Sequence, residues 1–230
     1  MFNFPQINAP GFFRVEATLM QAGSPSAPVR FEGAIMNYPI ELTFKLLAIA
    51  SQIYIRDANG ALIGYVKQKL FKLKEDINIF TDESQTQHSY NIKADRLLDF
   101  SAQYNFTDAN GNLLGSIKRK GMRSLWRANY EISDAGARHV MTIREENGWI
   151  KVIDSLIGEV PVAGMFTGYF FNPSYIVSKI DETRIARLQK QPAFFEGKFL
   201  LSPLSPMSDD EEVKVLLGVL TMTLLERSRG

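Results

Sequence analysis

The chain contains no cysteine and only two histidines, His88 and His139, in 230 residues. The missing thiols exclude a disulfide framework, a thiolate-bound zinc, an iron–sulfur cluster, a cysteine nucleophile and palmitoyl or prenyl anchors. Neither histidine has a second at ligand spacing, so a histidine metal site is not expected, and no cofactor is. Charge of one sign is also lacking. With 26 basic and 25 acidic residues the formal net charge is +1, and no global field draws the chain to nucleic acid. The longest apolar run, residues 213–225, is shorter than the roughly 20 residues a membrane-spanning helix needs. The start, Met1-Phe2-Asn3-Phe4-Pro5, has no basic flank or continuous apolar stretch, so a cytoplasmic protein is expected, with membrane contact at most peripheral. Phosphate-loop, dinucleotide and nucleophile-elbow motifs are absent, which leaves no motif from which to argue an enzyme.

What is present is strand pattern nearly throughout, short alternating apolar and polar runs broken by turn residues. Phe13–Leu19 alternates, Gly23-Ser24-Pro25-Ser26 interrupts, and Val29–Ile35 reads as a returning hairpin partner. Ile40–Leu46 and Gln52–Arg56 continue the pattern. The clearest internal signal is a repeat. Residues 57–69, Asp-Ala-Asn-Gly-Ala-Leu-Ile-Gly-Tyr-Val-Lys-Gln-Lys, align without gaps on residues 108–120, with 8 of 13 positions identical at an offset of 51. Weaker echoes follow at 130–136 and 177–181. The unit is a hairpin. Asn-Gly suits the positive φ angles of a tight reversal, and the aspartate can accept bonds from the turn backbone. Alternation places Leu62, Gly64 and Val66 inward, like Leu113, Gly115 and Ile117, with the glycines permitting a close approach. Tyr65, Lys67 and Lys69 then point outward, as do Ser116, Lys118 and Lys120.

One helix is expected, at the C-terminus. Ser208 and the four carboxylates Asp209, Asp210, Glu211 and Glu212 suit its start. Its nine large apolar residues cover every face, so it must be buried all round, worth roughly 15–25 kcal/mol gross before entropy is counted. An all-β chain with such a helix suggests a wide closed barrel filled by it. A single domain over 1–230 is expected, with 1–36 either completing the barrel or forming an additional N-terminal hairpin outside it, and 209–227 as the central helix.

The Asp-x-x-Gly-x-Leu-x-Gly-x-Ile/Val-x-x-Lys hairpins, the stretch Lys67–Asp76 and the apolar C-terminal helix resemble the tubby-like superfamily. The nearest branch is that of the LURP-one-related proteins and the phospholipid scramblases. The resemblance covers about Tyr38 to the C-terminus and implies a barrel of about twelve strands around a central helix. Tubby domains bind phosphoinositides through Lys and Arg, but no binding pair maps onto particular residues of this sequence. The missing cysteines, and the lack of an acidic loop with calcium-ligand spacing, argue against a membrane-anchored, calcium-driven scramblase.

The basic concentration Lys67, Lys69, Lys118, Lys120, Arg119 and Arg123, with Lys72 and Lys74 nearby, is the candidate site for anionic phospholipid headgroups. The competing reading is lysines that shield strand faces and aid solubility. Arg119 has inward parity, either as a ligand-facing guanidinium at a barrel mouth or as a satisfied end-of-barrel group. His88, His139, Asp57, Asp108 and Asp134 fit turn roles, and Asp154 a cap or turn. Residues 158–175, with Phe166, Tyr169, Phe170, Phe171 and Tyr175, are either a membrane or protein-partner surface or barrel wall. The expected function is non-enzymatic binding of anionic membrane lipids through the basic outer face. The alternative is a structural or regulatory protein-interaction module using the aromatic region. A ligand-sequestering barrel is disfavoured, because the helix should occupy the interior.

Overall fold

A computed structural model describes residues 30–31, 34–46, 51–68, 76–96, 102–120, 128–146, 173–192 and 197–227. Residues 1–29, including the expected Phe13–Leu19 strand, lie outside them. Within the stretch read as its returning partner, two short strands pair with each other. Strand β1 (Arg30–Phe31) lies against β2 (Ala34–Ile35), with Arg30 opposite Ile35.

The remaining strands are β3 (Ile40–Leu46), β4 (Ser51–Arg56), β5 (Leu62–Gln68), β6 (Asp76–Phe80), β7 (His88–Ala94) and β8 (Gln103–Asp108). They continue as β9 (Leu113–Arg119), β10 (Asn129–Asp134), β11 (His139–Glu145), β12 (Ser174–Lys179), β13 (Arg184–Gln191) and β14 (Gly197–Pro203). These twelve form one closed antiparallel barrel in sequence order, and β14 pairs back onto β3 with Gly197 opposite Phe44. Alternation builds the wall. In β4, Ser51, Ile53 and Ile55 are buried while Gln52, Tyr54 and Arg56 are only partly covered.

The repeat recognised in two copies extends to five hairpins, all at one end of the barrel and all with the same irregularity. The register slips by one residue between Ile55 and Arg56, Ile79 and Phe80, Phe106 and Thr107, Ile132 and Ser133, and Val177 and Ser178. The extra residues are Ile63, Ser89, Leu114, Val140 and Ile185 on the returning strands. This bulge corrects the inward placement of Leu62 and Leu113. A bulge reverses the side-chain alternation beyond it. Ile63 is therefore the buried residue at 3% exposure, Leu114 packs on the core, and Leu113 is 46% exposed. Gly64, Val66, Gly115 and Ile117 remain buried as the alternation requires.

The turns differ from the expected type in one respect. Positive φ falls on a single residue of each, Gly60 (79°), Gly111 (82°), Ala137 (60°) and Glu182 (64°), and Asn59 and Asn110 do not share it. Each such residue stands three after the residue that closes the turn, for example through Asp57 N–H to Ala61 C=O at 3.0 Å. One left-handed residue followed by a bulge is the three-residue loop rather than the two-residue one.

Helix α1 (Asp209–Arg227) follows β14. Its start is a capping box: Ser208 N–H donates to Glu211 Oε2 at 2.9 Å, and Glu211 N–H donates to Ser208 Oγ at 3.3 Å. Residues Lys214 to Leu224 are all buried. Thr221 and Thr223 satisfy their hydroxyls on the Leu217 and Val219 carbonyls, both at 2.7 Å. The helix touches opposite walls. Gly218 packs on Ile132 and Ile143, the Lys214 stem on Gly115, and the Arg227 guanidinium on Gly197 and the Phe44 ring, 5.2 Å from its centroid. The close approach expected at the repeat glycines is made at Gly115 by the helix and at Gly64 by the Ile55 side chain of the neighbouring strand. At Gly115 a side chain would also overlap the Ser133 carbonyl oxygen.

Candidate functional site: a basic girdle at one end of the barrel

The two ends of the barrel differ in chemistry. The hairpin turns and the helix start share one end, which carries Asp57, Asp82, Asp108, Asp134, Asp181 and the carboxylates of the capping turn. Most of these aspartates hold the turns together. Asp57 Oδ1 accepts from the Asn59 and Ala61 amides, both at 2.9 Å, and Asp108 Oδ1 from Asn110 and Asn112 at 2.9 and 2.8 Å. Asp134 takes the Arg138 amide and guanidinium. Each carboxyl is held below its usual range. For Asp57 the Asn37 side chain is the first cause, for Asp108 the Asn112 side chain, and for Asp134 the Arg138 amide. The turn roles expected of these three residues are their structural roles.

The other end is basic. Six strands run toward it: β3, β5, β7, β9, β11 and β13. Each has a lysine or arginine as its penultimate residue: Lys45, Lys67, Lys93, Lys118, Arg144 and Lys190. In the first five, parity turns the side chain outward. Lys67, Lys93, Lys118 and Arg144 are exposed, and Lys45 lies over the Tyr54 ring, 5.2 Å from its centroid. In β13 Lys190 stands opposite buried Phe199 and has inward parity. Lys198 on β14 carries the outward charge there, 2.6 Å from Glu41. Lys67, Lys93 and Lys118 make no ion pair among the described residues. Together the outward residues form a girdle around the barrel wall.

The expected patch is therefore redistributed. Lys67 and Lys118 are both exposed, but β6, β7 and β8 stand between their strands, so the two repeat copies do not share a face. Lys120 is exposed and paired with Glu131 at 2.6 Å, and that contact is the first cause of the Glu131 carboxyl lying below its usual range. Arg119 points inward and is 9% exposed. It sits 5.8 Å from the Tyr130 centroid and 3.7 Å from Glu226. Lys69, Arg123, Lys72, Lys74, Asp154 and residues 158–172 lie outside the described residues. Tyr175 is buried in the wall, and burial pushes its hydroxyl pKa up. Sequence reasoning missed Lys45, Lys93, Arg144 and Lys198. The available signal was a basic residue next to last in each alternate strand, hidden because only two strands repeat closely in sequence.

His88 opens β7 and meets the Phe80 ring edge-on at 5.6 Å. His139 opens β11, with Nε2 at 2.9 Å from the Met141 carbonyl and 3.0 Å from Thr142 Oγ1. Among the described residues no group of three His, Asp or Glu is arranged to hold a metal, and no helix is long and apolar enough to cross a membrane. Away from the girdle, two acids are buried among the described residues, Asp57 in its turn and Glu212. Glu212 is 6% exposed in the first helical turn, and burial above all raises its pKa.

A closed twelve-stranded antiparallel meander with a buried C-terminal helix defines the class of protein. The sequence profile of the LURP-one-related family matches residues 62–202, and the chain belongs to that family. This is the branch to which the hairpin motif and the helix pointed. An X-ray structure of a protein from Arabidopsis thaliana is similar, with 15% identity, a TM-score of 0.44 and coverage of 84% of this chain and 93% of that one. No curated protein matches the sequence.

Proposed function

We propose that this LURP-one-related protein binds anionic phospholipid headgroups, without a catalytic step, as a peripheral membrane protein. The observation that supports the reading is the girdle: an outward Lys or Arg next to last in five of the six strands that run to one end, with Lys67, Lys93 and Lys118 unpaired among the described residues. Each such charge near an anionic surface contributes about 1 kcal/mol. Arg144 lies 3.5 Å from the Glu182 carboxylate and Lys45 over the Tyr54 ring; the three lysines together correspond to an affinity on the order of 1–10 mM, weak and steeply dependent on salt. Vesicle flotation tests it, with zwitterionic, phosphatidylserine and phosphoinositide liposomes at low and high salt. The wild-type chain is expected to float with anionic vesicles at low salt only, and the Lys67→Ala/Lys93→Ala/Lys118→Ala variant to stay behind. Failure of the wild-type chain to float at low salt would retire the reading and direct the search to protein partners.

A further inference from the structure

We infer that Asn110 is a site of spontaneous covalent modification, deamidation through a succinimide, and that the matching asparagine of the other repeat copy, Asn59, is protected from it. Asp57-Ala58-Asn59-Gly60 and Asp108-Ala109-Asn110-Gly111 are identical in sequence, so in an unfolded chain the two asparagines react alike. Each is followed by glycine, whose missing side chain leaves its backbone nitrogen unhindered. In the reaction the Gly111 nitrogen attacks the side-chain amide carbon of Asn110 and gives up its proton to water. The Asn110 amide nitrogen takes up a proton and leaves as ammonia, which closes the succinimide ring. Water then opens the ring at one carbonyl or the other, giving aspartate or isoaspartate. No oxidant, reductant or enzyme takes part.

Both asparagines are exposed, and the reacting atoms are held alike in the two turns. The Gly60 N–H donates to the Asp57 carbonyl at 2.9 Å, and the Gly111 N–H to the Asp108 carbonyl at 3.0 Å. The Asn59 and Asn110 amides donate to Oδ1 of the same aspartates, both at 2.9 Å. The attacking nitrogen is therefore engaged while the turn is closed, and the rate follows the population of the open turn. That population is where the two copies part. The 57–61 turn is tied to a segment outside it. Asn37 Nδ2 donates to Asp57 Oδ2 at 2.8 Å, and the Ala58 N–H donates to the Asn37 carbonyl at 2.8 Å. Asp57 is buried, whereas Asp108 is half-buried. Among the described residues the 108–112 turn has only bonds of its own, including Asn112 Nδ2 to Asp108 Oδ2 at 2.8 Å in an exposed setting. Each net hydrogen bond that holds a loop closed lowers its open population about fivefold. Two Asn37 bonds against one exposed Asn112 bond leave the 57–61 turn open roughly 5–25-fold less often.

The test incubates the full chain at mildly alkaline pH, folded and in guanidinium, and follows both sites by tryptic digestion and tandem mass spectrometry. Residues 57–67 and 97–118 fall in separate tryptic peptides, and fragment ions distinguish Asn110 from Asn105 and Asn112. Asn147-Gly148, outside the described residues, falls in a third. In the folded chain Asn110 is expected to react at least about fivefold faster than Asn59, and in guanidinium the two rates are expected to be equal. Asn37→Ala removes the side-chain brace and should speed Asn59 about fivefold while leaving Asn110 unchanged. Amide hydrogen exchange of the wild-type chain reads the same openings without a substitution, with the Gly60 N–H expected to exchange more slowly than the Gly111 N–H. Equal folded rates, a faster Asn59 or no reaction at Asn110 overturns the inference. Unequal rates in guanidinium overturn it too, because the difference would then lie in the sequence. Faster exchange at Gly60 than at Gly111, or an Asn37→Ala variant in which Asn59 fails to accelerate or both sites accelerate alike, removes the brace as the cause and overturns it as well.

Discussion

Tyr130 donates its phenolic hydroxyl to Glu226 Oε1 over 2.5 Å, joining the β10 wall to the last turn of the helix. The Arg119 guanidinium stands 3.7 Å from the same carboxylate, so one acid ties two strands to the helix end. Burial, reinforced by the Glu226 bond, raises the Tyr130 pKa and keeps the phenol a neutral donor.

Tyr130→Phe removes that bond while keeping the ring. A hydrogen bond to a charged group in a mostly buried site is worth about 1.5–3 kcal/mol, and Glu226 retains Arg119. The expected loss is therefore about 1–2 kcal/mol, read as a lower midpoint in urea denaturation with an unchanged slope. An unaltered midpoint would show that the helix end is held by apolar packing alone.

The turns offer a paired test. Ala137 holds a left-handed conformation that L-residues adopt at a cost, whereas Gly60 and Gly111 adopt theirs freely. Ala137→Gly should raise stability by about 0.5–1 kcal/mol, and Glu182→Gly should act in the same direction. Gly60→Ala and Gly111→Ala should each lower it by about 1 kcal/mol, although a Cβ at either position meets no atom within 4 Å. Thermal melts of the four single variants check both signs, and loss of stability in Ala137→Gly would contradict the turn geometry.

Glu212 makes stability depend on pH in a defined sense. Burial raises its pKa, the Asp209 charge raises it further, and the Tyr38 hydroxyl beside it offsets part of the shift. A carboxyl with a raised folded pKa destabilises the ionised protein. The cost is absent below the ordinary glutamate pKa, grows as pH rises toward the folded value, and is constant above it. Glu212→Gln is therefore expected to raise the melting temperature at neutral pH and to leave it unchanged below about pH 4. A variant less stable than wild type at neutral pH would mean that the carboxylate is needed ionised.

The girdle and the core were legible to different degrees. The Asp-x-x-Gly hairpins at 57–69 and 108–120 and the apolar segment after Ser208 could be read directly, because turn chemistry and all-round hydrophobicity are local properties of a few residues. The side to which Leu62 and Leu113 point could not. A bulge is a relation between two paired strands, and one extra residue, Ile63 or Leu114, reverses the alternation that the sequence pattern implies. Grouping Lys67 with Lys118 failed as a single face for a related reason. Equivalent positions in repeated hairpins share a height on the barrel, whereas their angular separation depends on the number of strands between them.

From its own order of residues the chain determined hairpins, the alternation of faces along each strand away from its bulge, and a helix that had to be covered on every side. Those outcomes follow from backbone preference and from burial of adjacent side chains, which act over a few residues. Closure decided the rest. Pairing of β14 with β3 set the strand count, and that count spread the lysines around one rim and gathered the turn aspartates at the other. Arg119 turned inward to Tyr130 and Glu226 because a closed wall has an inside, and the helix brought a carboxylate there to meet it.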